Sequence, residues 1–445
     1  MKLRLEKLWQ DLLSSYWFVP GLLLFGALAL AGLLIYVDHW AQLRQTPWLA
    51  NLRIAGPDEA AALLSTIAGS AITVAGVVFS ITMLVLNMSS AQFGPRLLRN
   101  FMSHNATQVV LGMFVGNFVY SLIVLASIRS RPDAVFVPQL ALAVGIANGV
   151  FLSAMLIYFI HHVSRFIQAE RIIGEVAASL EAVLHSSFPE RRSGQARTPD
   201  DEQDGAREPD RGKCSPVPVP RSGYVQAIDY DALMSVACAR DCVLWLECRP
   251  GHFVIEGRPL VLMSGGEPEP PVPSRIQEAF ITGPERTSFQ DPEFAVHQLV
   301  EIALRALSPG VNDPFTAINC IDRLGSVLSL LAERELPSRY RRDDQGRVRL
   351  VADPYTYRGV VRAAFNQIRQ TAASNAAVII RLLEVIASIA RRDLPPPYRK
   401  ELRAQVDAIL QVSRDQFPGE EDRRDFEARV RTALEALDRD GPGDG

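Results

Sequence analysis

Residues Ala60–Pro95 read AAALLSTIAGSAITVAGVVFSITMLVLNMSSAQFGP and contain no charged side chain. A helix needs about 20 apolar residues to cross a bilayer, so this stretch predicts a membrane span. It is too long for one crossing, because each helical residue adds about 1.5 Å, and we expect its C-terminal part to project from the membrane. Three more uncharged runs reach spanning length, at Tyr16–Val37, Asn105–Ile128 and Ala134–Ile160. The first is interpreted as an uncleaved anchor.

The predicted fold class is a membrane α-helical domain followed by a cytosolic α+β region, in which a small β module precedes a helical bundle. The four-helix transmembrane domain covers 1–164, with spans near 16–37, 63–87, 107–128 and 136–160. A helix leaving the membrane follows at 165–188, then a flexible linker rich in Pro, Gly and charged residues at 189–220. Short apolar runs between turns predict the β module at 221–263, and 264–445 is mainly helical, with a hairpin around Asp344-Gln345-Gly346.

Basic residues near the spans predict the orientation, because Lys and Arg accumulate on the cytoplasmic side. Seven lie on one side and four on the other. The seven are Lys2, Arg4, Lys7, Arg96, Arg99, Arg165 and Arg171, and the four are Arg44, Arg53, Arg129 and Arg131. We therefore predict a multi-pass protein of the bacterial cytoplasmic (inner) membrane with both termini in the cytoplasm. The net charge of −3 gives no indication of nucleic acid binding, so the lipid bilayer is the expected partner.

Small and polar side chains recur along the second span at spacings of three and four, which places them on one helix face. They are Thr66, Gly69, Thr73, Gly76, Ser80 and Asn87, with Met83 in the one gap. Such a stripe is typical of close helix packing, and it is also typical of a pore lining in a symmetric oligomer. No Asp, Glu, Lys or Arg lies deep in a predicted span, which argues against a proton-coupled pump or ion-coupled carrier.

Glycine pairs in the later spans also predict close helix packing. Gly112 and Gly116 have the GxxxG spacing, with Asn117 beside them, and the fourth span contains Gly145 and Gly149. Because glycine-rich faces favour association, we expect a homo-oligomer.

Two long motifs carry a family resemblance. The first is SSAQFGPR at Ser89–Arg96, and the second is ALSPGVNDPFTA at Ala306–Ala317. The chain resembles the bacterial predicted membrane protein family numbered twenty-two fifty-four in the domain-of-unknown-function series, whose members have an A-L-S-P-G-x-N-D-P-x-T-A run. The resemblance covers most of the chain and implies four N-terminal spans followed by a cytosolic region, without implying an activity.

The second motif has a local structural interpretation. Asp313 is a good helix N-cap, Pro314 suits a first helical turn, and Gly310 can end the preceding helix in a left-handed conformation. Ser308–Asp313 is then a tight corner between two helices. The alternative is that its polar atoms bind a small ligand or ion, or form a subunit contact. The candidate residues are Arg286, Asp291, Arg305, Ser308, Asn312, Asp313 and Thr316.

The sequence contains no nucleophile–base pair, P-loop or GxGxxG motif, so we predict that the protein is not an enzyme and uses no cofactor. The spacing of Cys238, Cys242, Cys248 and His252 matches no common zinc pattern, and no metal site is predicted. The leading functional hypothesis is an oligomeric channel or pore gated by its cytosolic domain. The alternative is a membrane-anchored sensor or scaffold whose cytosolic domain binds a ligand or protein partner. A membrane enzyme using the Ser308–Asp313 corner is a third hypothesis.

Overall fold

The computed structural model describes residues 17–43, 54–93, 105–131, 134–166, 169–191, 211–212, 214–267, 269–413, 416–417 and 419–438. The chain divides into two compact units, residues 1–168 and 169–445. Several sequence predictions lie outside the described residues: the start of the first span at Tyr16, the end of the SSAQFGPR motif, most of the linker at 189–220, and seven of the basic residues. These seven are Lys2, Arg4, Lys7, Arg44, Arg53, Arg96 and Arg99.

The first unit is built from apolar helices. They are α1 (Phe18–Leu43), α2 (Pro57–Phe93), α3 (Asn105–Ser127) and α4 (Gln139–Phe166), and a short antiparallel hairpin of β1 (Arg129–Arg131) and β2 (Ala134–Phe136) joins the last two. Each of these helices is long and apolar enough to cross a membrane. The α2 helix has 37 residues, so it extends about 55 Å, whereas a hydrocarbon core is about 30 Å thick.

Glycines bring α3 directly against α1. A Cβ atom on Gly112 would lie 2.8 Å from the Cα atom of Pro20, and one on Gly116 would lie 3.3 Å from the Cβ atom of Ala27. A side chain at either position would therefore force the two backbones apart. The close packing predicted from the GxxxG spacing is confirmed for this pair of helices.

Hydrogen bonds join the helices at one end of the first unit. The buried Asp38 carboxylate of α1 accepts from the backbone N–H groups of Leu140 and Ala141, at 3.1 and 2.9 Å. It thereby caps the first turn of α4, whose N–H groups have no partner within their own helix. The Tyr120 hydroxyl donates to the Ala141 carbonyl at 2.7 Å, and Gln139 bonds the backbone just before α2.

The second unit begins with α5 (Ala169–Ser187) and contains two sheets. In the five-stranded sheet the strand order is β3-β7-β5-β10-β9, and in the three-stranded sheet it is β6-β4-β8. The strands are β3 (Cys214–Pro218), β4 (Gly223–Ile228), β5 (Leu244–Leu246), β6 (Phe253–Val254), β7 (Pro259–Ser264), β8 (Phe280–Gly283), β9 (Tyr340–Arg342) and β10 (Val348–Val351).

The β structure extends beyond the predicted module at 221–263. The β3 strand lies within the predicted linker at 189–220, so that prediction is wrong for Cys214–Pro218, and β8, β9 and β10 lie within the region predicted to be mainly helical. The β10 strand pairs in parallel with β5, with Leu350 opposite Leu244, while β9 and β10 form the hairpin predicted around Asp344-Gln345-Gly346. Side chains alternate across the sheet, as strand geometry requires. Leu244 lies in the main core of the β structure, and the neighbouring Trp245 is buried in a smaller cluster on the other face.

The other helices that the structure describes in the second unit are α6 (Tyr230–Ala239), α7 (Val272–Glu278), α8 (Pro292–Ala306), α9 (Pro314–Ala332), α10 (Tyr357–Thr371), α11 (Ala376–Ala390), α12 (Pro396–Ser413) and α13 (Glu420–Asp438). By length and hydropathy α9 is also a candidate span. It packs against α5, α8 and α11 within this unit. Its Asp322 forms an ion pair with Arg381 at 2.6 Å. The four-span count therefore stays a prediction.

Candidate functional site

The small and polar stripe of α2 lies on the outside of the first unit. Thr66, Gly69, Thr73, Gly76, Ser80 and Asn87 are all exposed. The buried positions of the same helix include Leu64, Ala68, Ala71, Ala75 and Val78. At about 100° per residue, this buried line and the stripe lie on opposite sides of the helix. Within the described residues of one chain, the stripe is therefore not used for packing.

The glycines of the stripe differ from those that pack helices together. A Cβ atom on Gly69 or Gly76 would meet nothing within 4 Å, in contrast to Gly112 and Gly116 of α3. Ser80 donates its hydroxyl to the carbonyl one turn earlier at 2.8 Å, as do Thr66 and Thr73. Because these donors are satisfied within the helix, the face can meet lipid or another chain without leaving a hydroxyl unpaired.

The polar side chains of the ALSPGVNDP corner bond mainly to their own backbone. Asp313 caps α9 by accepting from the Thr316 N–H at 3.1 Å, and it also accepts from the Thr316 hydroxyl at 2.6 Å. Ser308 donates to the Arg305 carbonyl at 2.6 Å. The left-handed residue is Asn312, with φ +48°, so the prediction that Gly310 takes this conformation is wrong. The corner connects two helices as predicted, and its hydrogen bonds account for most of its polar residues.

The Thr316 hydroxyl also stabilises the ionised form of Asp313. Its hydrogen bond to the Asp313 carboxylate holds the pKa of Asp313 below the usual value, and the backbone N–H groups of Thr316 and Phe315 act in the same direction. Asp313 is therefore an anion at neutral pH, as a helix N-cap favours.

Arg286 and Asp291 lie at the opposite end of α8 from this corner. Asp291 caps the N-terminus of α8, whereas Arg305 lies in its last turn and bonds Glu301 at 3.4 Å. A helix of 15 residues separates the two groups by about 22 Å. The predicted set therefore divides into an Arg286–Asp291 pair and a Ser308–Thr316 corner.

The Arg286–Asp291 pair belongs to a buried cluster of ionic side chains. Asp291 is 1% exposed, and its Oδ2 atom accepts from Arg286 Nη2 at 2.6 Å and from Nε at 2.9 Å. The Tyr355 hydroxyl donates to the Pro250 carbonyl at 2.9 Å beside this pair. Gly251, with φ +90°, lies against both charged groups, where any Cβ atom would collide with the Asp291 carboxylate. Only a glycine fits there.

A second ion pair adjoins the first. Arg249 donates two hydrogen bonds of 3.1 Å to the Glu293 carboxylate, and its guanidinium lies 4.8 Å from the centre of the Tyr355 ring. Burial, reinforced by the nearby Arg249 charge, lowers the pKa of His252. Sequence reasoning missed Arg249, Glu293 and Tyr355. The sequence signal for this cluster was Gly251 in the Pro250-Gly251 dipeptide, because a glycine can adopt a positive φ and allows a close approach by another segment.

Metal-binding geometry is not present among the residues that the structure describes: they include no group of three His, Cys, Asp or Glu placed to hold an ion. Cys242 and Cys248 lie in the core of the β structure, and Cys238 is exposed. Burial raises the pKa of Cys248 to about 12, so its thiol stays protonated.

These observations define a class: a membrane protein with an N-terminal unit of apolar helices and an α+β second unit. The chain belongs to the family described as "Predicted membrane protein (DUF2254)", which it matches over residues 13–388. It is similar to proteins described as uncharacterized from Mycobacterium bovis and Mycobacterium tuberculosis, with 32% identity over 394 residues. These alignments cover 86% of this chain and 74% of each relative. No solved structure matches the chain.

Proposed function

We propose that this protein is a homo-oligomeric channel of the bacterial inner membrane, in which the outer face of α2 from each subunit lines a pore. The observation that carries this proposal is the exposure of the whole stripe on a helix whose opposite side is buried. Large exposed apolar side chains such as Phe79 on one side and Leu63 on the other flank the stripe, as expected of a lipid-facing surface. A line of glycines and hydroxyls between such flanks favours a second subunit or a water-filled pore over lipid.

The four N-terminal helices would span the membrane, with both chain termini and the second unit in the cytoplasm, where that unit gates the pore. The distribution of basic residues supports this orientation. The α9 helix stays with the second unit in this proposal, because the Asp322–Arg381 ion pair is unfavourable in a lipid-facing span. The uncharged stripe favours passive conduction.

The test compares two serines that have the same chemistry. Ser80 and Ser70 are both exposed, and each donates its hydroxyl to its own helix at 2.8 Å. The two positions are separated by about 80° around the helix, and Ser70 lies on the flank of the stripe. Purified full-length protein in planar bilayers should conduct, Ser80→Leu should abolish the conductance, and Ser70→Leu should retain it. The pore proposal would be excluded if the protein never conducts or if the two substitutions have equal effects on conductance.

A second candidate function is a membrane-anchored sensor or scaffold, and one observation favours it. Val311 is 58% exposed and Phe315 is 81% exposed. They occupy the two positions that the A-L-S-P-G-x-N-D-P-x-T-A pattern leaves open. Apolar side chains held outward on a rigid corner are suited to contact with a protein partner.

Photo-crosslinking in cells distinguishes this candidate. A photoreactive amino acid at Phe315 of the full-length protein should form an adduct with a partner protein, and the same residue at Phe289, which is 40% exposed, serves as the control. Adducts at both positions, or at neither, would count against a partner site at the corner.

A further inference from the structure

Two buried polar side chains of the first unit lack a hydrogen-bond partner within the part of the chain that the structure describes. They are Asn117 and Ser121 of α3. Asn117 is 5% exposed and Ser121 is fully buried. Neither the Nδ2 and Oδ1 atoms of Asn117 nor the Oγ atom of Ser121 forms a hydrogen bond. Since the residues are four positions apart, their side chains lie on the same face of the helix, one turn from each other.

The pair lies deep in the predicted span. Asn117 follows the first residue of α3, Asn105, by 12 positions and precedes the last, Ser127, by 10. At about 1.5 Å per residue these separations are about 18 and 15 Å, so Asn117 is near the middle of a hydrocarbon core about 30 Å thick. An unpaired amide is strongly unfavourable at this depth, because no bulk water reaches it.

Other hydroxyl groups in the same unit are paired. Thr82 is buried and donates to the Val78 carbonyl at 2.7 Å, and Ser153 donates to the Gly149 carbonyl at 3.1 Å. Serines within helices often make this local bond to a carbonyl four residues earlier. Ser121 does not make it. Its hydroxyl therefore remains available to a partner other than the helix backbone.

The pair lies among apolar side chains of the first unit. On one side of Asn117 along α3, Tyr120 packs in the cluster that contains Leu64 of α2, and on the other side Phe114 packs in the cluster that contains Ala71. Between Leu64 and Ala71, the buried position of α2 is Ala68, which has a very small side chain.

We propose that Asn117 and Ser121 together bind at least one water molecule inside the first unit. The amide offers both donors and acceptors, and so does the hydroxyl, which suits a molecule that both donates and accepts. Three polar atoms match the two to four bonds that a buried water molecule usually makes. A cation is a poorer match, because the pair supplies two uncharged side-chain oxygens and Ca²⁺ takes six or more oxygen ligands. This inference does not rest on the proposed pore.

Solid-state NMR of the full-length protein in lipid bilayers tests the proposal, with ¹⁵N in the asparagine side chains and magnetisation transferred from water protons. The exposed Asn312 gives the signal of a hydrated amide. Asn117→Leu identifies the Asn117 signal by its loss, and Asn117→Gln does so if the leucine variant does not fold. We expect the Asn117 amide to receive magnetisation at a rate within about twofold of Asn312. If the Asn117 amide receives magnetisation only when the neighbouring methyl groups also receive it, the transfer passes through the protein and does not come from a bound water molecule. That result would overturn the proposal.

A second pair of variants tests whether the two residues share the water. Ser121→Ala removes one partner with little change in volume, and the water transfer to Asn117 should fall by about twofold or more. Ser153→Ala is the matched control, because its exposed hydroxyl bonds only its own helix. It should leave the Asn117 signal unchanged. An unchanged signal in Ser121→Ala would contradict a shared site.

Discussion

Gly251 allows the Arg286–Asp291 ion pair to lie directly against the backbone. Replacement by alanine adds left-handed strain of about 1–2 kcal/mol and overpacking of about 1–3 kcal/mol. We therefore expect Gly251→Ala to lower the free energy of unfolding by about 2–5 kcal/mol, measured by urea denaturation with the fluorescence of the buried Trp245 as the signal. Gly257→Ala is the control, because its φ is +79° but its Cβ atom would meet nothing within 4 Å. Equal losses would show that the ion pair tolerates a side chain at Gly251.

The Thr316 hydroxyl should make the stability of the corner depend on pH. The pKa of Asp313 in the folded protein lies below the ordinary value of 3.8, so its contribution is complete above that value and is lost as the pH falls through the folded pKa. We expect Thr316→Val to lower the free energy of unfolding by about 0.5–1.5 kcal/mol at neutral pH. The difference from the unsubstituted protein should shrink below pH 3.8. A difference that is the same at pH 7 and pH 3 would exclude a bond to the ionised carboxylate.

Local chemistry determines which of these residues can be predicted from the sequence. Asp313 is recognisable as a helix cap because its bonding partner lies three residues away. The sequence does not distinguish Gly310 from Asn312 as the left-handed residue, because both residue types tolerate that conformation. Arg249 is not predictable as part of a buried cluster, since its partner Glu293 is 44 residues away.

The close contact between the helices α1 and α3 depends on the glycines of α3. Gly112→Ala should lower the stability of the first unit by about 1–3 kcal/mol, because its methyl group would overlap the backbone at Pro20. Gly76→Ala on α2 is the control, since its methyl group would meet nothing within 4 Å. Unfolding in mixed detergent micelles measures the stability of both variants. A loss in Gly76→Ala as large as in Gly112→Ala would mean that the difference in packing has no energetic effect.

Elements with a long, uniform pattern are the ones that the sequence predicts. The apolar runs indicate the four helices that the structure describes in the first unit, because hydropathy over about 20 residues is a strong signal. The β10 strand has four residues, and its parallel partner β5 lies about 100 positions earlier, so no local pattern indicates that pairing. For this reason the sequence predicts the hairpin of β9 and β10 as a local element but not as part of the β module at 221–263, which also omits β3 and β8.

Labelling of cysteines tests the orientation of the whole molecule. Cys238 in the second unit is exposed, and Ser130 lies in the hairpin between α3 and α4. In intact spheroplasts a membrane-impermeant maleimide should label Ser130→Cys, in a Cys238→Ser background, and should leave the native Cys238 unlabelled until the cells are lysed. Labelling of Cys238 before lysis would place the second unit outside the cytoplasm and exclude the proposed orientation.

The Asp38 cap has a consequence for the order of biosynthesis. The carboxylate belongs to α1, while the N–H groups that it accepts from are 102 and 103 residues further along the chain. Ribosomes add roughly 5–20 residues per second, so Asp38 waits about 5–20 s for its partners. During that interval its charge needs contact with water. Its position five residues before the end of α1 provides such contact at the membrane surface. The arrival of α4 then replaces water around Asp38, which makes this residue a marker for the completed assembly of the first unit.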